Sequence, residues 1–294
     1  VEKCEAMRDF ANKIWNASRY VLMNLTIEKT GLPAADKLEI EDKWVLSRLN
    51  TLIREVTENL DSYELGVASS KVYDFIWDTY CDWYIELTKA RLYGENQESK
   101  ETAQQVLVYV LDQILRLLHP FMPFITEEIW QAIPHEGDFL MKAQWPVASD
   151  ALAFPAEEAA MESVMNAIRA VRARRADLNV PPSRKSHLYI VSDKGDIFRQ
   201  GAAFITRLAY ASELSVSDTA PAGHEDLVSA VTADAALYMP MNELVDVEKE
   251  LQRLAKEIEK AEKNIAGLKG KLSNENFVSR APEAVVNAER EKAA

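Results

Sequence analysis

Arg8-Asp9-Phe10-Ala11-Asn12-Lys13-Ile14-Trp15-Asn16-Ala17-Ser18-Arg19-Tyr20 is the stretch from which the fold is read. Phe10, Ala11, Ile14, Trp15 and Ser18 recur at intervals of three and four, and Val21, Leu22 and Leu25 extend the row. That spacing puts them on one side of an amphipathic helix. Lys13, Asn16, Arg19, Tyr20 and Met23 fall largely on the opposite side, and a loop holding Gly31-Leu32-Pro33 ends the helix.

The same periodicity continues downstream. A second helix is predicted from about Asp42, carrying Val45, Leu49, Leu52, Val56 and Leu60. A third carries Val72, Ile76, Trp83 and Leu87, and a fourth Leu107, Leu111, Ile114 and Leu118. His119-Pro120-Phe121-Met122-Pro123 must interrupt the fourth, because proline lacks a backbone donor and disfavours helix in the residue before it. Thr126 is then expected to cap a short fifth helix with Glu127 and Glu128 in its first turn. Residues 1–150 therefore read as an antiparallel helical bundle around one shared core.

Residues 151–240 change character. A helix from Glu157 to Asp177 ends before Pro181-Pro182, and His187–Val191 is a strand candidate. A helical stretch around Phe198 to Tyr210 comes next. Leu214–Val216, Leu227–Thr232 and Ala236–Met239 have the apolar, β-branched look of further strands. A small α/β connector with three or four strands is expected.

In residues 241–294 the pattern is a heptad seam. Leu244, Val247, Leu251, Leu254, Ile258, Ala261, Ile265, Leu268 and Leu272 alternate spacings of three and four. Such a seam predicts a long helix that packs on a partner. Ser273-Asn274-Glu275-Asn276 breaks it, and Pro282 suits the first turn of a returning helix with Ala284, Val285, Val286 and Ala288. An antiparallel coiled-coil arm is implied, its second leg about half the length of its first, as expected of a truncated arm. The overall class is mainly α.

Composition limits the function. The formal charge of −13 opposes indiscriminate nucleic-acid binding, so an RNA partner must be held by local basic and aromatic patches. No apolar run reaches the roughly 18 residues of a membrane span. Cys4 and Cys81 are far apart and read as reduced, buried thiols of a cytosolic protein. The four histidines are scattered, so no metal is expected. The chain opens in mid-helix without an initiator Met and without the order of a signal peptide, as an excised piece would. There is no phosphate-cradling glycine loop and no nucleophile–base set.

Two places could meet RNA. One is the outer face of the first helix, where Lys13, Asn16, Arg19 and Tyr20 mix cations, an amide and a ring suited to unstacked bases and phosphates. The other is the cluster Arg169, Arg172, Arg174, Arg175 with Arg184 and Lys185. For both, the plain alternative is an ordinary solvated helix face. Between Glu243 and Lys292 ten basic residues face eleven acidic ones, far from the acidity of the rest. Lys249, Arg253, Lys256, Lys260, Lys263, Lys269 and Lys271 could line one flank there; a balanced coiled coil is otherwise a spacer or dimerisation device.

The segment Arg8–Tyr20 resembles the RNFANKLWNASRF block that opens the anticodon-binding helical domain of class I synthetases for branched aliphatic amino acids. Asp42–Leu49, Tyr80–Glu86 and Leu118–Trp130 resemble three further blocks of that family, in family order. The stretch Lys271–Val286 resembles the KLxNxxFVxxAPxxVV turn of the valyl enzymes' carboxy-terminal arm. No cysteine lies beyond Cys81, whereas the isoleucyl enzymes end in a cysteine-rich zinc module. The resemblance covers essentially the whole chain.

The resemblance implies recognition of tRNA(Val) during ATP-dependent charging with valine. Lys13, Asn16, Arg19 and Tyr20 would meet the anticodon loop, with Ile85 as an apolar wall. Arg253, Lys256, Lys260 and Lys263 would meet the outer corner of the tRNA. Tyr20 stands where many relatives have Phe and keeps a ring; Asp9 stands where they have Asn, so an amide contact there is not carried over. The family's HIGH and KMSKS signatures are absent, as are the editing domain and valine pocket. The resemblance thus implies a fragment without cofactor or active site, completed by the catalytic and editing domains of a monomeric, cytoplasmic parent. The rival expectation is a coiled-coil adaptor without RNA binding.

Overall fold

A computed structural model of the chain describes residues 2–28, 31–223, 227–245 and 247–273. Helix α1 (Glu2–Met23) buries Phe10, Ile14, Ser18 and Val21. Trp15, expected in this row, is 40% exposed. One helical step moves it about 100° past Ile14, and the buried stripe is narrower than that.

Helix α2 (Ile40–Asp61) starts where Glu39 and Asp42 satisfy each other's backbone donors in a capping box. It buries Val45, Leu49, Leu52 and Val56 as its periodicity requires, with Leu60 half-buried at the end. The third predicted helix is a continuous rod of three parts: α3 (Leu65–Asp74), a π-helical stretch (Phe75–Tyr84) and α4 (Ile85–Leu92). The wider π turn rotates the residues beyond it. Tyr80 and Tyr84 therefore take the core positions after Ile76, and Trp83, expected there, is only half-buried.

Helix α5 (Gln97–Leu118) is capped by the Asn96 side chain, which accepts from the Ser99 amide, and buries Leu107, Leu111, Ile114 and Leu118. Helix α6 (Pro123–Ala132) places Pro123 in its first turn, where a missing donor costs nothing. Thr126 is consequently not the cap. It lies inside the helix, its hydroxyl donating to the Met122 carbonyl at 2.8 Å and meeting His119 Nδ1 at 2.8 Å. Glu127 and Glu128 fall past the first turn.

Helix α7 (Pro155–Asp177) begins with proline, then Glu157 and Glu158, and ends with Arg174 and Arg175, the charge order its dipole favours. It packs on α2, where Lys43 meets Glu157 at 3.0 Å and the Ser47 hydroxyl donates to Glu158 at 2.8 Å. Met161, Val164, Met165 and Ile168 carry the same hydrophobic core on towards the sheet.

That sheet has four strands in the order β2-β1-β4-β3: β1 (Ser186–Val191), β2 (Ala211–Ser217), β3 (Leu227–Val231) and β4 (Ala236–Pro240). Only β1 and β2 pair in parallel, with Tyr189 opposite Ser215. Their crossover holds two short helices, α8 (Gly195–Gln200) and α9 (Ala202–Leu208), instead of the single stretch expected. Gly201 divides them and lets α7 approach: a Cβ there would stand 2.7 Å from Val164 Cγ2.

After α10 (Met241–Leu244), α11 (Val247–Ser273) is the long helix that the heptads predict. Two residues of its seam, Ile258 and Ile265, are 59% and 41% exposed. The expected return leg from Pro282 lies outside the described residues, as does any antiparallel pairing of the arm.

Candidate nucleic-acid interface

On α1, Asn16 and Arg19 are exposed, and their side chains make no hydrogen bond to another described residue. Lys13 is less free. Its ammonium sits 2.7 Å from Asp82 and 3.7 Å above the Trp77 ring, both supplied by the π-helical stretch. A phosphate could use Lys13 only by competing with that carboxylate.

Tyr20, one turn beyond Asn16, is half-buried, and its hydroxyl lies 3.0 Å from that of Tyr93 just past the end of α4. Lys89 hangs over the Tyr20 ring, 5.3 Å from its centroid, and is itself bonded to Glu86. Burial first, then the Tyr93 hydroxyl, hold the Tyr20 phenol well above its ordinary pKa, so it stays neutral. Arg207 of α9 acts on the same phenol in the opposite sense. Tyr93 itself is 66% exposed. Ile85, expected as an apolar wall, is only 6% exposed and belongs to the core, because the π turn rotates it inward.

A buried charge cluster fixes the end of α4 that presents Lys89 and Tyr93. Arg91 reaches Glu41 and Asp42 at 2.8 Å each, the Ser99 hydroxyl at 2.8 Å and the Ser99 carbonyl at 3.1 Å. The Tyr84 hydroxyl donates to Asp42 at 2.7 Å, and the Ser99 hydroxyl to Glu39 at 2.5 Å. This set ties together the starts of α2 and α5 and the end of α4. Two carboxylates against one guanidinium leave an excess of negative charge. Burial, and secondly Asp42, push Glu41 up to about 7. Burial also raises Asp42, though Arg91 and Tyr84 oppose it.

The arginine cluster of α7 is committed to structure in part. Arg169 lies 5.0 Å from the Trp83 ring and 2.9 Å from Glu162. Arg172 donates to the Leu208 carbonyl at 2.7 Å, and Arg175 is buried, donating to the carbonyls of Pro181 and Arg184. Arg184 closes onto the Glu243 carbonyl at 2.6 Å. Arg172, Arg175 and Arg184 thus tie α7 to the elements around the sheet, whereas Arg169, Arg174 and Lys185 stay exposed as on a solvated face, Arg174 3.8 Å from Asp177 of its own helix.

On α11, Lys256, Lys260 and Lys263 are exposed at spacings of four and three, which gives them one flank. Lys263 meets Glu259 at 2.6 Å. Arg253 lies on the same helix; its side chain is outside what the structure describes. Among the described residues no group of three His, Cys, Asp or Glu is arranged to hold a metal ion, and no helix is long and apolar enough to cross a membrane.

Two features escaped the sequence: the exposed Tyr93 and the anchor at Arg91. Both belong to Lys89-Ala90-Arg91-Leu92-Tyr93, where alternating cations and apolar residues look like any helix end. Only the residues facing them from α1, α2 and α5 give them meaning.

Two family models match the chain. One, described as the anticodon-binding domain of tRNA ligase, covers residues 42–190; the other, the valyl tRNA synthetase tRNA binding arm, covers residues 246–294. The chain is similar to the valine–tRNA ligase of Clostridium acetobutylicum, 46% identical over 99% of the chain and 33% of that protein. It is also 49% identical to the ligase of Clostridium tetani and 44% identical to that of Enterococcus faecalis, with the same coverage. It spans about a third of the length of these relatives.

Proposed function

The chain belongs to the family of anticodon-binding domains of tRNA ligases, and on that premise we propose that it is the tRNA-gripping portion of a valine–tRNA ligase. The observation that carries the reading is the order of the two matches: an anticodon-binding domain and then a valyl-type arm on one chain. The helical bundle receives the anticodon loop of tRNA(Val) on the outer face of α1. There Asn16 and Arg19 offer free donors beside Tyr20, with Lys13 in reserve behind Asp82. The arm leans on the outer corner of the tRNA and reads phosphate and shape rather than sequence. Arg253, Lys256, Lys260 and Lys263 form its cationic flank.

The work of the chain is to orient the tRNA so that its acceptor end reaches a catalytic portion elsewhere in a monomeric, cytoplasmic parent, where ATP and valine are used. No cofactor is assigned to the chain itself. Titration with tRNA(Val) and an anticodon-altered control tests the reading: tighter binding of the native loop is expected, and equal affinity would refute it. Pyrophosphate exchange with valine is expected to be absent. A folded, self-associating chain indifferent to RNA would favour the adaptor alternative, for which the exposed Ile258 and Ile265 would supply the contact.

A further inference from the structure

The ring that an unstacked base meets first need not be the one that the helix pattern of α1 singles out. Tyr20 is half-buried, Lys89 covers one face of its ring at 5.3 Å, and its hydroxyl is tied to Tyr93. Tyr93 is 66% exposed, and no described residue stacks on its ring. The two phenols come from α1 and the end of α4 and meet hydroxyl to hydroxyl at 3.0 Å, a contact of residues 73 positions apart. Behind Tyr93, Arg91 holds the helix end to α2 and α5 through four hydrogen bonds at 2.8–3.1 Å and an ion pair with Glu39 at 3.2 Å. The exposed ring therefore stands on a fixed base, and little ordering remains for a ligand to impose.

We propose that Tyr93 supplies the principal stacking surface for an unpaired base of the anticodon loop, with Tyr20 as the positioning residue that orients it. The inference rests on the function proposed above and deepens it. The helix that carries Tyr20 also carries the exposed Asn16 amide for a base edge and Arg19 for a flanking phosphate, while Lys89, bonded to Glu86, could reach a phosphate only by leaving that carboxylate. The bland role of Tyr93 is to close the last turn of α4 through its amide on the Lys89 carbonyl at 3.1 Å and to tie α1 to α4 through its hydroxyl, which leaves the exposed face of the ring unexplained.

The test uses the full chain, tRNA(Val), and an anticodon stem-loop carrying a fluorescent purine whose emission falls on stacking. Tyr93→Ala should weaken binding about 5- to 150-fold, the range of a lost base–ring stack, and restore the purine's emission. Tyr93→Phe should bind close to wild type, since the ring remains. Tyr20→Phe keeps both rings but unties the hydroxyls; it should bind almost as well while the purine becomes partly unquenched, a change that a merely structural role would not produce. If Tyr93→Ala keeps full affinity and quenching while Tyr20→Ala loses both, the inference is overturned and the proposed function stands. If the folded wild-type chain ignores tRNA(Val) at low ionic strength, the function and the inference fall together.

Discussion

Replacing Glu41 with glutamine tests the physics that holds the end of α4 in place. Glu41 is 0% exposed, and its Oε2 finds no partner in the structure, while Oε1 accepts from Arg91 at 2.8 Å. Asp42 accepts from Arg91, the Tyr84 hydroxyl and the Glu39 amide, so it keeps its charge in preference. Burial raises Glu41 from 4.5 to about 7. A carboxylate whose folded pKa is raised binds its proton more tightly in the folded chain. The stability this gives is fully present below pH 4.5 and is lost as pH rises through about 7. At about 1.4 kcal/mol per pH unit, the loss is about 3 kcal/mol. The amide of a Glu41→Gln variant would keep the acceptor for Arg91 and cannot ionise. Urea unfolding at intervals from pH 4.5 to 8 should therefore show the variant gaining on the wild type by that amount at the alkaline end. Parallel stability curves for the two proteins would refute the argument, and an Asp42→Asn variant that removed the pH dependence instead would place the proton on the wrong carboxylate.

Other consequences are independent of this proton. Arg91→Met strands two buried carboxylates and should cost about 3–5 kcal/mol in the same unfolding assay at pH 8, as removing one partner of a buried pair does. Gly201→Ala drives a methyl to 2.7 Å from Val164 Cγ2 at an ordinary φ of −82°. The loss, about 1–3 kcal/mol, should be recovered in part by adding Val164→Ala. Burial pushes the Cys81 thiol up to about 12. In a Cys4→Ser background it should therefore react with a disulfide reagent at pH 8 far more slowly than after unfolding in urea. Charge reversal of Lys256, Lys260 and Lys263 to Glu should weaken tRNA(Val) binding and flatten its dependence on salt, and an unchanged slope would remove that flank from the contact.

Legibility tracked the range of the interactions. The periodicity of Val45, Leu49, Leu52 and Val56 needs only the helix itself, and those residues are buried. The strands were legible for the same reason: alternation along β1 leaves Leu188 and Ile190 inside. Trp83 and Ile85 depart from expectation because a π turn between Phe75 and Tyr84 rotates everything after it, and no local residue announces it. Thr126 departs because Pro123 could start α6 earlier than any side-chain cap.

The sequence by itself determined the mainly helical class, the small sheet, the long final helix and the family, all of which are written in local spacing and in blocks that survive without context. Only the tertiary structure decided what the side chains at the interface are free to do. It committed Lys13 to Asp82 and Trp77, sank Ile85 in the core, gave Arg175 to backbone carbonyls and brought Tyr93 beside Tyr20. The physical reason is that a helix fixes which residues share a face over a few turns, whereas charge neutralisation and exposure depend on groups that the chain brings together from far apart.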